Sequence, residues 1–147
     1  MLIRFRIPGA CRGKGRPRFS RRGNYVKTYT DKDTELYENW VKQCFLSTHL
    51  QPFDKDTSIY CQIVVYCDIP SSASKKKKTL MENHSLRPAK KPDCDNIAKS
   101  ILDGLNKIAF HDDTQITTLI VTKYYTIEEP YVVVSMCEDT SKQEDLL

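Results

Sequence analysis

Four aspartates bracket one short segment of the chain: Asp93 and Asp95 stand in KPDCDN just ahead of it, and Asp112 and Asp113 in FHDDTQ just behind it. Carboxylates are hard oxygen donors, the ligand type that magnesium or manganese takes, so such pairs can serve phosphoryl chemistry. Each pair also has an ordinary explanation. An aspartate at a helix start accepts N–H bonds and opposes the positive end of the dipole. A paired acid before a strand suits a tight turn. Two acids separated by one residue nevertheless exceed what a cap needs, and their repulsion calls for solvent, a cation or a basic neighbour to offset it. Lys99 follows Asp95 by four residues on the same helix face, either as a weak surface pair or as a cation aimed at a phosphate. Asp103 and Lys107 repeat that spacing and read as surface support. The softer donors offer no competing site. Six cysteines are scattered with no C-x-x-C pair, and three histidines lie far apart, which argues against zinc and against a disulfide scaffold.

Basic residues are concentrated although the net charge is only +4. CRGKGRPRFSRRG holds six in the eleven positions from Arg12 to Arg22, and SASKKKKTLMENHSLRPAKK with its flank holds seven from Lys75 to Lys91. Local charge density of this kind suits a polyanion better than a small acidic substrate, because phosphate contacts release condensed counterions. The candidate phosphate contacts are Lys14, Arg16, Arg18, Arg21, Arg22, Lys75, Lys76, Lys77, Lys78, Lys90 and Lys91, with Phe19 and Tyr25 as residues for base stacking or for core packing. Lysine runs also occur simply as solvated loops.

The elements that must position these groups follow from periodicity. Residues 2–7 alternate as a strand that Pro8-Gly9 ends, and a basic loop follows. From about residue 31 to 48, Leu36, Tyr37, Trp40, Val41, Cys44 and Phe45 recur at helical spacing. SIYCQIVVYCDI is the strongest strand, and residues 71–92 form a long loop with a short helix near 77–83. After Asp95, Ile97, Ile101, Leu105 and Ile108 line one face of a helix of about fourteen residues. TQITTLIVTKYYT and YVVVSMCE, joined through IEEP, are expected to pair as a hairpin. The order β-α-β-α-β-β implies an α/β (α+β) domain, a small mixed sheet of about four strands with two main helices, over residues 1–138, with a polar tail at 139–147. No apolar run reaches the ~20 residues of a membrane span and no signal peptide is evident, so a soluble, intracellular protein is expected.

The chain resembles the RusA family of Holliday junction resolvases, including its phage and prophage members, on GKGRPRF with a following Thr and helix, on SKKKK, and above all on KPDCDNIAKSILDGLNKIAFHDDTQI. The resemblance covers nearly the whole chain. It implies an intertwined homodimer and a Mg²⁺-dependent endonuclease (Mn²⁺ a substitute) that nicks four-way DNA junctions symmetrically, in the cytoplasm of a bacterium or encoded by a phage. It places the family's three essential, metal-binding aspartates on Asp93, Asp95 and Asp113, its catalytic lysine on Lys99, and a companion acid on Asp112. Cys94 stands where an aliphatic residue is typical. His111 precedes the acidic pair where other side chains are usual, and reads as an exposed bystander rather than a general base.

Length then bears on how the acids meet. A helix from Asp95 to residue 109 is about 21 Å long at 1.5 Å per residue, and residues 110–113 span at most about 14 Å. Ligand oxygens sit about 2.1 Å from Mg²⁺. Asp93 and Asp95 of one chain are therefore expected to share an ion with Asp113 of a two-fold partner. Two other readings remain: a non-catalytic dimeric module that binds branched DNA, and a Mg²⁺-dependent nuclease that prefers flaps or duplex.

Overall fold

A computed structural model describes residues 1–15, 18–29 and 31–140 of the 147-residue chain. Strand β1 (Leu2–Pro8) leads through a docked segment to a two-stranded ribbon, β2 (Arg18–Arg22) and β3 (Tyr25–Tyr29), and then to helix α1 (Lys32–Leu46). Strand β4 (Ile59–Asp68), helices α2 (Lys75–Glu82) and α3 (Cys94–Leu105), a 3₁₀ turn at Asp113–Gln115, and strands β5 (Ile116–Thr126) and β6 (Tyr131–Glu138) complete the fold. This is the mixed α+β domain expected, with a four-stranded sheet in the order β1-β6-β4-β5.

The alternation in β1, β4 and β6 is realised as one buried face. Ile3, Phe5 and Ile7, then Ile59, Cys61, Ile63 and Val65, then Val132, Val134 and Met136 all point into the core. Tyr37, Val41 and Phe45 of α1 and Ile97, Ile101 and Leu105 of α3 cover them. The two helices approach closely at Gly104, where an added Cβ would stand 2.8 Å from the Glu38 carbonyl oxygen. The inward stripe of α1 is narrower than its apolar content suggested: Leu36 and Trp40 stay largely exposed, and the Trp40 indole N–H donates to the Pro8 carbonyl at 2.8 Å.

Three expectations are corrected. Strands β5 and β6 do not pair as a hairpin, because β4 lies between them, antiparallel to β6 and parallel to β5. β4 carries the most regular apolar alternation and takes a central place with neighbours on both sides. Residues 127–130 can step over it, since four residues reach about 14 Å and two strand spacings amount to about 10 Å. The basic loop after β1 contains the β2–β3 ribbon, closed by Gly23 at φ 58°, the positive angle that the first position of a two-residue type II′ loop requires. Helix α3 has 12 residues, not fourteen. Asn106 leaves it at ψ 133° and Lys107 turns to φ 71°, so Ile108, Ala109 and Phe110 fold beneath the helix end rather than extending it.

The short helix in the long loop spans Lys75–Glu82, capped by the Ser74 hydroxyl, which accepts from the Lys77 amide at 3.2 Å. The 139–147 tail begins tied down: Asp139 accepts from the hydroxyls of Thr117 and Thr118 at 2.7 and 2.6 Å. Residues 141–147 lie outside the described residues. No helix among the described residues is long and apolar enough to cross a membrane.

Candidate active site

The N-terminal end of α3 is built by three segments that meet there. The chain after β1 runs across the first turns of the helix, where the Lys14 amide donates to the Asn96 carbonyl at 3.0 Å and the buried Ser100 hydroxyl donates to the Arg12 carbonyl at 2.6 Å. Gly13 makes this approach possible: a Cβ there would stand 3.0 Å from the Pro92 side chain and 3.2 Å from that of Asn96. Asp93 occupies the N-cap position, yet its carboxylate makes no capping bond to the first-turn amides. It accepts instead from the Asn96 side-chain amide at 2.7 Å. That hydrogen bond foremost, with help from the Lys123 ammonium nearby, holds the Asp93 carboxyl below the usual carboxylate range. Asp93 and Asp95 are both exposed, and Asp93 opens onto a cleft of about 860 Å³ lined also by Gly13, Lys90, Pro92, Asn96 and Lys123. The ordinary cap explanation thus fails for Asp93. Two adjacent solvent-facing carboxylates, one of them held below its ordinary pKa, form a donor set that fits a hard divalent cation.

At the other end the acids are divided. Asp112 is spent on local structure: its carboxylate accepts from the Thr114 hydroxyl at 2.6 Å, and Gln115 reaches back to take the His111 and Asp112 amides at 2.7 and 3.1 Å. The Thr114 hydrogen bond is the leading cause of an Asp112 carboxyl held below its ordinary value. Gln115 also donates to the carbonyls of Asp54 and Thr57 at 2.8 and 3.0 Å, which fixes the turn to the segment before β4. Asp113 opens the 3₁₀ turn and is exposed. His111 is exposed and contributes its backbone amide to the turn.

The two ends do not meet. Twelve residues of α3 measure about 18 Å. Among the described residues no three acidic, histidine or cysteine side chains converge as a metal-holding group. Lys99 is exposed on the outer face of α3 and, among the described residues, forms no ion pair with Asp95.

The basic residues separate into distinct settings. Lys14 is drawn inward: its ammonium, one-fifth exposed, bridges Glu38 of α1 at 2.5 Å and Asp103 of α3 at 3.0 Å. Partial burial opposes its charge, but the two carboxylates outweigh this and raise its pKa. Asp103 therefore pairs with Lys14 and not with Lys107. Arg18, Arg21 and Arg22 lie on the ribbon, all of whose strand residues are exposed. Cross-strand partners share a face, so Arg18, Arg22 and Lys27 stand with Tyr25 and Tyr29 on one side, and Phe19, Arg21 and Val26 on the other. Arg18 also pairs with Asp31 at 2.9 Å, and the Arg21 Nε braces the turn through the Gly23 carbonyl at 3.0 Å. Lys75, Lys76, Lys77 and Lys78 occupy the first turns of α2, while Lys90 and Lys91 border the cleft beside Asp93. Arg16 lies outside the described residues.

Asn96 and Lys123 touch the Asp93 segment although spacing did not single them out, and each carried a signal. Asn96 is three residues after an N-cap aspartate, within reach of its side chain. Lys123 falls in register with Val121 and Tyr125, on the alternation of β5 that faces the helices, where a charge must find a partner.

Comparison with known proteins gives this arrangement its place. A Bacillus subtilis (strain 168) protein, described as the uncharacterized protein YqaN, is 35% identical over 138 residues, spanning 92% of this chain and 96% of that protein. Residues 8–136 match the family described as Endodeoxyribonuclease RusA, a stretch that takes in the docked glycines, the ribbon and both acidic ends of α3, and the chain belongs to that family.

Proposed function

We propose that this chain is a homodimeric, Mg²⁺-dependent endonuclease that resolves Holliday junctions by paired, symmetric nicks, in a bacterial cytoplasm or on phage DNA. The observation that carries the reading is the separation of oxygen donors: Asp93 and Asp95 face solvent at one end of α3, Asp113 at the other, and one chain does not bring them together. Two α3 helices laid antiparallel about a dyad join the N-terminal acids of each to Asp113 of its mate, which makes two like centres at once. A junction with approximate two-fold symmetry needs paired cuts of that kind.

Asp93, Asp95 and the partner's Asp113 would hold the ion. When bound, Mg²⁺ (or Mn²⁺) supplies Lewis-acid polarisation of the scissile phosphate and lowers the pKa of a coordinated water. The chain's own residues do the rest. Asn96 keeps the Asp93 carboxylate ionised and oriented, and Lys99, which forms no ion pair among the described residues, neutralises charge that develops on phosphate oxygens. Asp112 shapes the turn that presents Asp113. Phosphate contacts come from the cationic face of the ribbon and from Arg21, from the four lysines of α2 and from Lys90 and Lys91, with Tyr25 and Tyr29 available to stack on bases opened at the crossover. Lys14 is left out of this set, since two carboxylates already neutralise it.

Incubating the protein with labelled four-way junction, flap and duplex, with Mg²⁺ or with chelator, tests the reading. Symmetric nicking of the junction alone, abolished by chelator, is expected. Binding without cleavage in Mg²⁺ favours the non-catalytic module, and equal cutting of flap or duplex favours another specificity. Sharing is tested by mixing Asp95→Asn with Asp113→Asn chains. A shared arrangement restores one intact centre per heterodimer and hence single nicks, whereas sites built within one chain recover nothing.

A further inference from the structure

We propose that Lys123 is the positioning residue that sets the place of the acid-bearing loop, and through it the Asp93 carboxylate. Its ammonium donates to the Lys90 carbonyl at 2.6 Å and to the Pro92 carbonyl at 2.9 Å. The Lys123 carbonyl in turn accepts from the Arg87 Nε at 3.0 Å. A single residue of β5 therefore ties down residues 87, 90 and 92, and residue 93 is the first metal-binding candidate. The loop has no regular hydrogen bonding of its own between α2 and α3, so these ties replace the ladder that a strand or helix would supply.

The site is shaped around this contact. Pro92 is backed by Gly13 on one side and held by Lys123 through its carbonyl. That carbonyl belongs to the peptide whose nitrogen is Asp93, so a shift of Pro92 is passed to Asp93 with no flexible bond between them. Lys123 stands opposite Val65 in the parallel β4–β5 pairing, on a strand fixed along ten paired positions, which makes it a rigid anchor. Arg87 and Lys90 lie over the rings of Tyr124 and Tyr125 at 4.6 and 5.9 Å, so the loop's own cations extend the attachment to β5. Two of the three ammonium donors are used on carbonyls and the side chain is half-buried, which suits a strut better than a phosphate contact.

The catalytic part of this inference rests on the nuclease reading, and the positional part does not. Two measurements on the full chain keep them apart. In Lys123→Met, which keeps the apolar stem and removes the donors, amide exchange over residues 97–101, the first hydrogen-bonded amides of α3, is expected to quicken about tenfold as the segment that leads into the helix loosens, while β4 and α1 exchange as before. With Mg²⁺, the nicking rate at saturating junction is expected to fall on the order of 10²-fold, the scale of a misplacement near 1 Å, with junction affinity in chelator unchanged. Adding ethylammonium to Lys123→Ala is expected to restore both protection and nicking in part. Unchanged exchange at 97–101, or a rise spread equally over β4 and α1, overturns the proposal. If the wild-type protein nicks nothing, the nuclease reading falls while the exchange data still decide the role of Lys123.

Discussion

The two ends of α3 carry acidic pairs that look alike in the sequence and are used differently in the fold. At the N-terminal end, Asp93 sits where a cap belongs but gives its carboxylate to a side-chain amide, and Asp95 beside it is exposed. At the C-terminal end, Asp112 performs the local work that a cap performs, which releases Asp113 from it. The N-terminal pair is steadied from outside, by the docked 12–15 segment and by β5. The C-terminal pair is steadied by Gln115, within its own turn. Asp113 faces solvent because its neighbour makes the local bonds of the turn, whereas the Asp93 carboxylate does so with a side-chain amide, not the first-turn amides, as its donor.

Substitutions at the C-terminal end separate the two roles most sharply. On the nuclease reading, Asp113→Asn is expected to lower junction nicking on the order of 10³-fold with little change in melting temperature, because a ligand to the proposed ion would supply several kcal/mol in the transition state and Asp113 makes little structure. Asp112→Asn, one residue away, is expected to keep nicking within tenfold and to lower the melting temperature. Equal losses at the two positions would break the division. The Asp112 carboxyl is depressed in the fold, so its contribution is present above the ordinary carboxylate range near ~3.9 and is lost as pH falls through its lower folded value. In Asp112→Asn the acid limb of a thermal-stability profile is expected to flatten in that window.

A smaller effect is expected from Gln115→Ala. Removing four hydrogen bonds that link the turn to the segment before β4 costs about 1–3 kcal/mol of stability by chemical denaturation, since several of the freed backbone groups can turn to water. The basic ribbon, the α2 lysines, Lys90 and Lys91 are untouched, so Mg²⁺-independent junction binding is expected to stay as in the wild type. The smallest effect reports the electropositive surroundings of the N-terminal end. The Cys67 thiol is lowered to about 7, chiefly by the Cys11 thiol that donates to it and then by Lys123 and Lys90, while burial lifts Cys61 to about 12. Alkylation by iodoacetamide, mapped by mass spectrometry, is expected to mark Cys67 at lower pH than Cys44 or Cys61, and Lys123→Met is expected to shift the Cys67 reaction to higher pH.

What could be read from the chain, and what could not, divides along burial. β1, β4 and α3 were legible because one face of each is apolar at the element's own period, and KPDCDN and FHDDTQ fix where α3 begins and where β5 is approached. The ribbon was not legible: each of its residues is exposed, so no apolar alternation marks it, and Gly23-Asn24 among arginines resembles an irregular loop. Sheet order is not legible at β5 and β6, since proximity in sequence favours a hairpin while the edge position of β5 depends on β4, some fifty residues earlier. Periodicity alone overextends α3, because Ile108 continues the helical period into a turn that buries its neighbours in another way. Lys14 looked like one more cation of a basic run; only the approach of α1 and α3 reveals that Glu38 and Asp103 flank it.

Asn106 and Lys107 cut α3 to 12 residues, and that early stop gives the helix the character of a gauge block. In a two-fold pair, the spacing between opposed cleavage centres scales with the block: one inserted turn would part them by a further ~5.4 Å and rotate nothing back into place. Relatives that retain paired cutting should therefore tolerate additions in the β2–β3 arm while admitting none between Asp95 and Asp113.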